Sequence, residues 1–398
     1  MTDLERVLGW FECGRLVRPR EESRNFVDLV RALLRLAGAS DVPGGEGAEE
    51  LEGRVGPAEH HLLVLVDGLG ANQLERLFAP DGFARRHLAG RLQAVWPSTT
   101  ATALTTLATG QWPCTHGVPG WWTYLDEHDV TAVTLPFEQR LTEQPLGRLG
   151  VRPEELYPAP SAWPKVTRRP RTVLPEKLVD SAYSTYARGG TAGAGYKELA
   201  ELPDRIRRIV RRAAGATLTH LYLPQLDSLS HKKGTDSAEV RLFVPALDAL
   251  LADLADAVGG VGRLVVTADH GHVNAPRDRW TFLPPTDPLA QMLRCRPTGE
   301  PAVPIFHVTD GLAGEFAAAF RERFGEHFAL LTVGEVERLR LTGPHLLSPV
   351  MRRRLGTFVG ISPAPAKLYV LPADPGAGNL GVHGGLSNDE MHVPLILA

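Results

Sequence analysis

The sequence is poor in cysteine, poor in lysine and without a long apolar run, and each shortage removes a class of protein. Three cysteines, Cys13, Cys114 and Cys295, lie far apart among 398 residues. An odd, sparse count without C-x-x-C or C-x-H spacing excludes a disulfide framework and a thiolate metal cluster. No stretch approaches the ~18 apolar residues of a membrane span. The opening residues, MTDLERVLGWFECGR, have no basic segment leading into an apolar one, so no secretory signal is read there. A cytoplasmic protein with free thiols and no membrane partner is expected. Neither charge is in excess: 43 Lys+Arg stand against 46 Asp+Glu, a net charge of −3. That balance argues against a nucleic-acid duplex as partner, which usually demands a basic surplus. Lysine is confined to Lys165, Lys177, Lys197, Lys232, Lys233 and Lys367, so the basic charge is nearly all arginine. Arginine suits phosphate recognition, but a chain equally rich in Ala, Gly and Leu also fits a general composition bias.

What is present is ordinary globular material, 43% apolar and 22% charged, which excludes a disordered chain. The length allows two or three units, or one large α/β domain carrying insertions. Residues 23–37, SRNFVDLVRALLRLA, have the three- and four-residue apolar spacing of an amphipathic helix, and a Gly/Glu-rich linker follows to Pro57. HHLLVLVDGLG reads as a buried strand running into a turn, RLQAVW as a short strand, and STTATALTTLATG as the helix after it. TLTHLYLPQLD and GRLVVTADHG read as strands on either side of a long helix, AEVRLFVPALDALLADLADAV. VPIFHV, KLYVLPA and MHVPLILA read as later strands, and GEFAAAFRERF as a helix. Val/Leu/Ile-rich strands separated by helices predict an α/β fold, a mostly parallel central sheet with helices on both faces. The expectation is one catalytic α/β domain over 1–398, with cap insertions at about 121–205 and about 276–365, where the alternation is lost.

In such sheets ligands bind beyond the carboxyl ends of the strands, and the polar residues there form a set. Asp67 ends the first strand; Thr99 and Thr100 follow the second; Asp227 and His231 follow the third; Asp269 and His270 end the fourth. His383 lies in GVHGG, just before the terminal strand. Singly, each has an ordinary reading: Asp favours turns, Thr caps helices, and Asp and His at i, i+4 make a plain helical pair. Together, three Asp and three His supply six hard or borderline ligands without a thiolate, which suits Zn²⁺ and tolerates Mn²⁺. Two cations about 3.5–4 Å apart can clamp the attacking and leaving oxygens of a phosphoryl displacement. Thr100, at a helix start, offers a hydroxyl nucleophile beside amides that favour a phosphate oxygen.

The stretches LVLVDGLG, WPSTTATALTTLATGQWPCTHGV, YLPQLDSLSHKKG, VVTADHG and GVHGG resemble the alkaline phosphatase superfamily, most closely its nucleotide pyrophosphatase/phosphodiesterase branch. The resemblance runs from residue 62 to the final strand and leaves both insertions uncovered. It implies that Asp67, Asp269 and His270 bind one metal together with the nucleophile Thr100, itself a metal ligand, and that Asp227, His231 and His383 bind the other. It also implies a covalent phospho-threonine or nucleotidyl-enzyme, hydrolysed by an activated water. The branch commonly carries an Asn three residues after the nucleophile, where this chain has Ala103. The replacement donor for a phosphate oxygen is sought among Trp121, Trp122, Lys232 and the arginines of the cap.

The aromatic string GVPGWWTYL is either core or a stacking surface for a planar group, since adjacent strand residues cannot share a face. Arg168, Arg169 and Arg171 are either a solvated run or a polyphosphate contact. The function expected is a two-metal phosphodiesterase or nucleotide pyrophosphatase acting on a small phosphate ester or nucleotide. A phosphomonoesterase of the same superfamily is the alternative, and a non-catalytic binding protein on the same fold is a third reading. A sulfatase is excluded because the string around Ser98 lacks the C/S-x-P/A-x-R context. Oligomeric state is left open by the sequence.

Overall fold

The computed structural model describes residues 1–398 apart from 373 and 375. Its main sheet has seven strands, in the order Leu88–Gln93, His392–Leu397, Gly262–Thr267, His60–Val66, Thr217–Leu223, Arg169–Pro175 and Ala192–Tyr196. Six run in one direction; His392–Leu397 runs antiparallel to both of its neighbours. The central strands His60–Val66 and Thr217–Leu223 are buried at every position, and apart from His60, His61 and His220 their residues are apolar or β-branched. Helices flank the sheet. Phe26–Leu36 packs against Thr100–Thr109, and the 21-residue helix Ala238–Val258 packs against Gly262–Thr267 and Leu202–Arg211.

The structure redraws two expectations. Arg169–Pro175 and Ala192–Tyr196 fall inside the segment 121–205, yet they complete one edge of the main sheet. RPRTVLP carries its prolines near the two ends of the strand and AGAGY, the edge strand, is rich in Gly, so no apolar run announces them. The rest of both insertions is also ordered. Trp122–Leu125, Val130–Val133 and Glu138–Gln139 from the first join Thr298–Glu300, Val303–Phe306, Ala329–Thr332 and Phe358–Ile361 from the second in one seven-stranded sheet. The pairings within this second sheet are antiparallel.

The third strand read from sequence also stops earlier. TLTHLYL ends at Leu223, and after Pro224 the chain turns into a helix, Gln225–Lys233. Asp227 and His231 therefore share one helix face. Among the described residues, no helix is long and apolar enough to cross a membrane.

Candidate active site

Parallel register places the polar strand ends side by side. Val66 lies opposite Leu223 and Leu65 opposite Thr267, so Asp67, the Asp269–His270 pair and the start of the Asp227 helix emerge at one end of the sheet. Thr100 opens the helix Thr100–Thr109, and His383 directly follows the short strand Gly381–Val382. These residues form two groups, Asp67–Asp269–His270 and Asp227–His231–His272–His383; within each, one ligand atom per residue lies within 4.8 Å of the others. All six ligands expected from the sequence are thus brought together. His272 was missed, although the H-x-H spacing in ADHGH was there to be read.

Three of the imidazoles are oriented the same way. Nδ1–H of His270 donates to the Gly271 carbonyl (3.0 Å), that of His231 to Gly381 (2.8 Å) and that of His383 to Ser98 (3.2 Å). A ring fixed through Nδ1–H presents its bare Nε2 to the site, the arrangement metal-ligating histidines use. His270 and His383 stack with centroids 3.8 Å apart, and His231 and His272 meet edge to face at 4.5 Å.

Close approach demands glycine at two turns. Gly68 sits at φ +72°, and a Cβ there would come within 3.0 Å of His272 Nδ1 and 3.1 Å of Asp227 Cβ. At Gly271 a Cβ would meet the Asp389 carbonyl oxygen at 1.9 Å.

The electrostatics fit divalent cations. Asp269 Oδ1 accepts from the amides of Gly68 and His270 (both 3.1 Å), while its Oδ2 has no partner among the described residues. Asp227 Oδ1 and both ring nitrogens of His272 are equally buried and without a hydrogen bond, although His272 Nδ1 and His231 Nε2 each approach Asp227 Oδ1 to 3.4 Å. Burial, then the neighbouring Asp269 and Asp227, pushes the Asp67 carboxyl well above its usual range. Burial also raises Asp227 and holds His272 and His383 well below the usual imidazole range. Crowded carboxylates that resist ionisation, beside neutral imidazoles with idle lone pairs, are what a bound cation relieves.

Thr100 Oγ1 lies 3.1 Å from His270 Nε2 and 3.5 Å from Asp67 Oδ1, while the Tyr222 hydroxyl donates to Asp67 Oδ2. The preceding residue, Thr99, occupies the N-cap position but does not cap the helix. Its hydroxyl donates instead to Glu300, which also accepts from the Trp121 amide (3.0 Å). Burial lifts the Glu300 carboxyl to about 7. Diverting the cap leaves the first amides of the helix free for an anion at Thr100. Glu300 comes from the short second-sheet strand TGE, which carries no motif.

A cavity of about 500 Å³ opens beside Thr100, Asp67 and Asp227. Trp121, half-buried, lines it. Trp122 does not line it, which corrects that expectation. It is buried beneath the Arg140 guanidinium, 3.7 Å from the ring centroid, with the edge of Tyr369 against it. Adjacent residues face opposite ways, so only one of the pair reaches the cavity. Lys232 is exposed on its helix, outside the lining. Ala103 is wholly buried in the core. Arg168 donates to the carbonyls of Ala58 and Glu59, and Arg169 is in register with Thr217, both at the opposite end of the strands. That placement sets aside the polyphosphate reading for Arg168 and Arg169.

The sequence profile of the Type I phosphodiesterase / nucleotide pyrophosphatase family matches residues 61–306, more than half of the chain. No curated protein sequence matches. Among solved structures, murine ectonucleotide pyrophosphatase/phosphodiesterase 5 superposes with a TM-score of 0.63 at 16% identity, covering 84% of this chain and 87% of that one. An inactive form of the murine protein in complex with AMP gives 0.61 at 16% identity, over 85% and 87%. Phosphonoacetate hydrolase from Sinorhizobium meliloti 1021, in complex with phosphonoformate, gives 0.61 at 19%, over 86% and 90%. At these identities the structural likeness is one of fold, alkaline-phosphatase-like in architecture. The chain belongs to the type I phosphodiesterase / nucleotide pyrophosphatase family, a family of divalent-metal phosphoester hydrolases within the alkaline phosphatase superfamily.

Proposed function

We propose that this protein is a two-metal phosphodiesterase or nucleotide pyrophosphatase in which Thr100 is the nucleophile. One observation carries the reading: the Thr100 hydroxyl stands at an uncapped helix N-terminus, 3.1 Å from His270 Nε2, beside two groups of carboxylates and imidazoles spaced to hold a cation each. Asp67, Asp269 and His270 would hold one cation, and Asp227, His231, His272 and His383 the other. The first set is rich in oxygen and tolerates Mn²⁺; the second is rich in nitrogen and suits Zn²⁺. When bound, the cations lower the pKa of a hydroxyl or water and offset charge on the phosphoryl oxygens.

The chain's own residues do the rest. Free amides at the start of the Thr100 helix, with the indole N–H of Trp121 in place of the absent Asn, bind phosphoryl oxygens. Thr100 Oγ1 attacks phosphorus, the ester oxygen leaves, and a phospho-threonine remains until water cleaves it. Glu300 acts as a positioning residue, joining the Thr99 hydroxyl to the Trp121 backbone so that nucleophile and donor stay in register. The catalytic unit spans 1–398, with the second sheet as its cap, and three free cysteines fit a reducing, cytoplasmic setting.

Comparing bis(4-nitrophenyl) phosphate with 4-nitrophenyl phosphate in the presence of Zn²⁺ or Mn²⁺ tests this reading. The apolar cavity beside Thr100 predicts a kcat/KM at least about tenfold higher for the diester, a difference of 1.4 kcal/mol. The reverse preference assigns a phosphomonoesterase, and no turnover of either ester removes the hydrolase reading.

His272 makes a separate prediction. If it is a fourth protein ligand, His272→Ala weakens one of two cations roughly 10- to 100-fold, as lost support around a metal typically does. Competition with a chromophoric chelator measures it; two unchanged affinities would make His272 a packing residue.

A further inference from the structure

Away from the ligand groups, three more residues lining the cavity beside Thr100, His220, Thr172 and Tyr183, hold buried polar atoms without partners among the described residues. His220 Nε2 and Thr172 Oγ1 have no hydrogen-bond partner among the described residues. The two residues are 7% and 6% exposed, and both line the cavity. They are cross-strand neighbours, in register on Thr217–Leu223 and Arg169–Pro175. Strand alternation puts Tyr222 on the same face as His220, two residues or about 6–7 Å nearer the strand ends; its hydroxyl there reaches Asp67.

The opposite wall is the helix that begins at Thr100, lining the cavity with Leu104, Leu107 and Ala108. Seven residues of helix carry that wall about 10 Å from Thr100 to Leu107. Trp163 closes this end: its indole N–H donates to the Leu107 carbonyl (3.2 Å), and its ring centroid lies 6.1 Å from that of His220. The cavity therefore has an apolar helical wall, with the reacting groups toward one end of it and the idle atoms of His220 and Thr172 toward the other, and Glu138, Lys177, Ser181, Ser184 and Arg188 complete the lining.

Burial drives the His220 pKa down to about 4, so near neutral pH its ring is uncharged and offers one donor and one acceptor. Thr172 adds a hydroxyl that can do either. Groups of this kind are rarely left idle in a buried site, because the desolvation they suffer is uncompensated.

We propose that His220 and Thr172 form the recognition point for the remote end of the esterified group. The substrate is then a phosphodiester of an elongated, largely apolar alcohol or phenol carrying a neutral hydrogen-bonding group about 10 Å from phosphorus. This inference rests on the phosphodiesterase reading and names its substrate class. A site built to hydrogen-bond a substrate hydroxyl discriminates strongly against the analogue that lacks it, because its own polar groups are then left unpaired.

Two probes differ only at that point: methyl biphenyl-4-yl phosphate and methyl 4′-hydroxybiphenyl-4-yl phosphate. The hydroxylated ester is expected to show a kcat/KM at least about tenfold higher. In Thr172→Val and His220→Phe that ratio falls to near one. Calorimetry on the metal-loaded wild type with 4,4′-dihydroxybiphenyl and 4-hydroxybiphenyl gives a readout needing neither hydrolysis nor a folded variant. The dihydroxy compound is expected to bind at least about tenfold tighter. Equal kcat/KM for the two esters together with equal affinities overturns the proposal and leaves the pair as a water site. Hydrolysis of neither ester, with the affinity difference intact, overturns the phosphodiesterase reading alone.

Discussion

Thr100→Ala is expected to lower kcat/KM on bis(4-nitrophenyl) phosphate by about 10⁴-fold or more, the scale seen when a covalent nucleophile is removed. Its cation content should be unchanged. The size follows from the absence of a substitute. Ser98 Oγ is tied to the Gly385 carbonyl (2.8 Å), and the Thr99 hydroxyl is held by Glu300, so neither neighbour is free to attack. Thr100→Ser keeps the oxygen at the same helix start and should retain turnover, with the covalent phospho-adduct detectable by mass after an acid quench. Metal analysis of Thr100→Ala separates chemistry from assembly, since the seven carboxylate and imidazole ligands are all still present. A variant within about tenfold of wild type would remove Thr100 from the mechanism.

Stripping the cations with a chelator is expected to abolish activity and to lower Tm by on the order of 10 °C. A ligand held at 1,000 times its Kd contributes about 4 kcal/mol, and two cations double that. The loss should depend on pH, with a sign set by the raised carboxyls. Without cations, burial and mutual repulsion favour the protonated forms of Asp67 and Asp227 in the folded state. The folded apo-protein then holds protons that the unfolded chain has already released. Its stability accordingly falls as pH rises from the ordinary carboxylate range through the elevated folded values. The gap in Tm between holo- and apo-protein should widen from pH 5 to pH 8. A gap that is flat or narrows with pH would mean that these carboxylates are not what the cations neutralise.

The legible part of this protein was the part whose sequence and structural periods agree. LLVLV and LVV could only be buried strands, and the residue after such a strand in a parallel sheet is placed where ligands bind; Asp67, Asp269 and His270 were readable for that reason. Asp227 and His231 were readable as a pair but assigned to a strand end, because the break at Pro224 leaves the i, i+4 spacing compatible with either neighbour. His272 escaped because an imidazole two residues past a ligand reaches the same site only if the chain turns sharply there. Gly271, pressed against the Asp389 carbonyl, supplies the turn, and nothing in a linear reading measures that contact. Glu300, Thr172 and His220 were invisible for a different reason. Their roles come from pairings between distant segments, Glu300 with Thr99 and Thr172 with His220, and a lone polar residue in a short strand has no pattern around it. Trp121 and Trp122 were indistinguishable by composition; only the side of the strand separates them.

The reversed strand bears on how the molecule is made. His392–Leu397 fills the space between Leu88–Gln93 and Gly262–Thr267, so during synthesis those two strands leave the ribosome long before the segment that joins them. Until it arrives, each presents an open row of backbone donors and acceptors, the kind of edge that pairs with other nascent chains. His383 reaches its place in the same late step, so the cation site proposed around it would be completed late in folding rather than act as a seed for it.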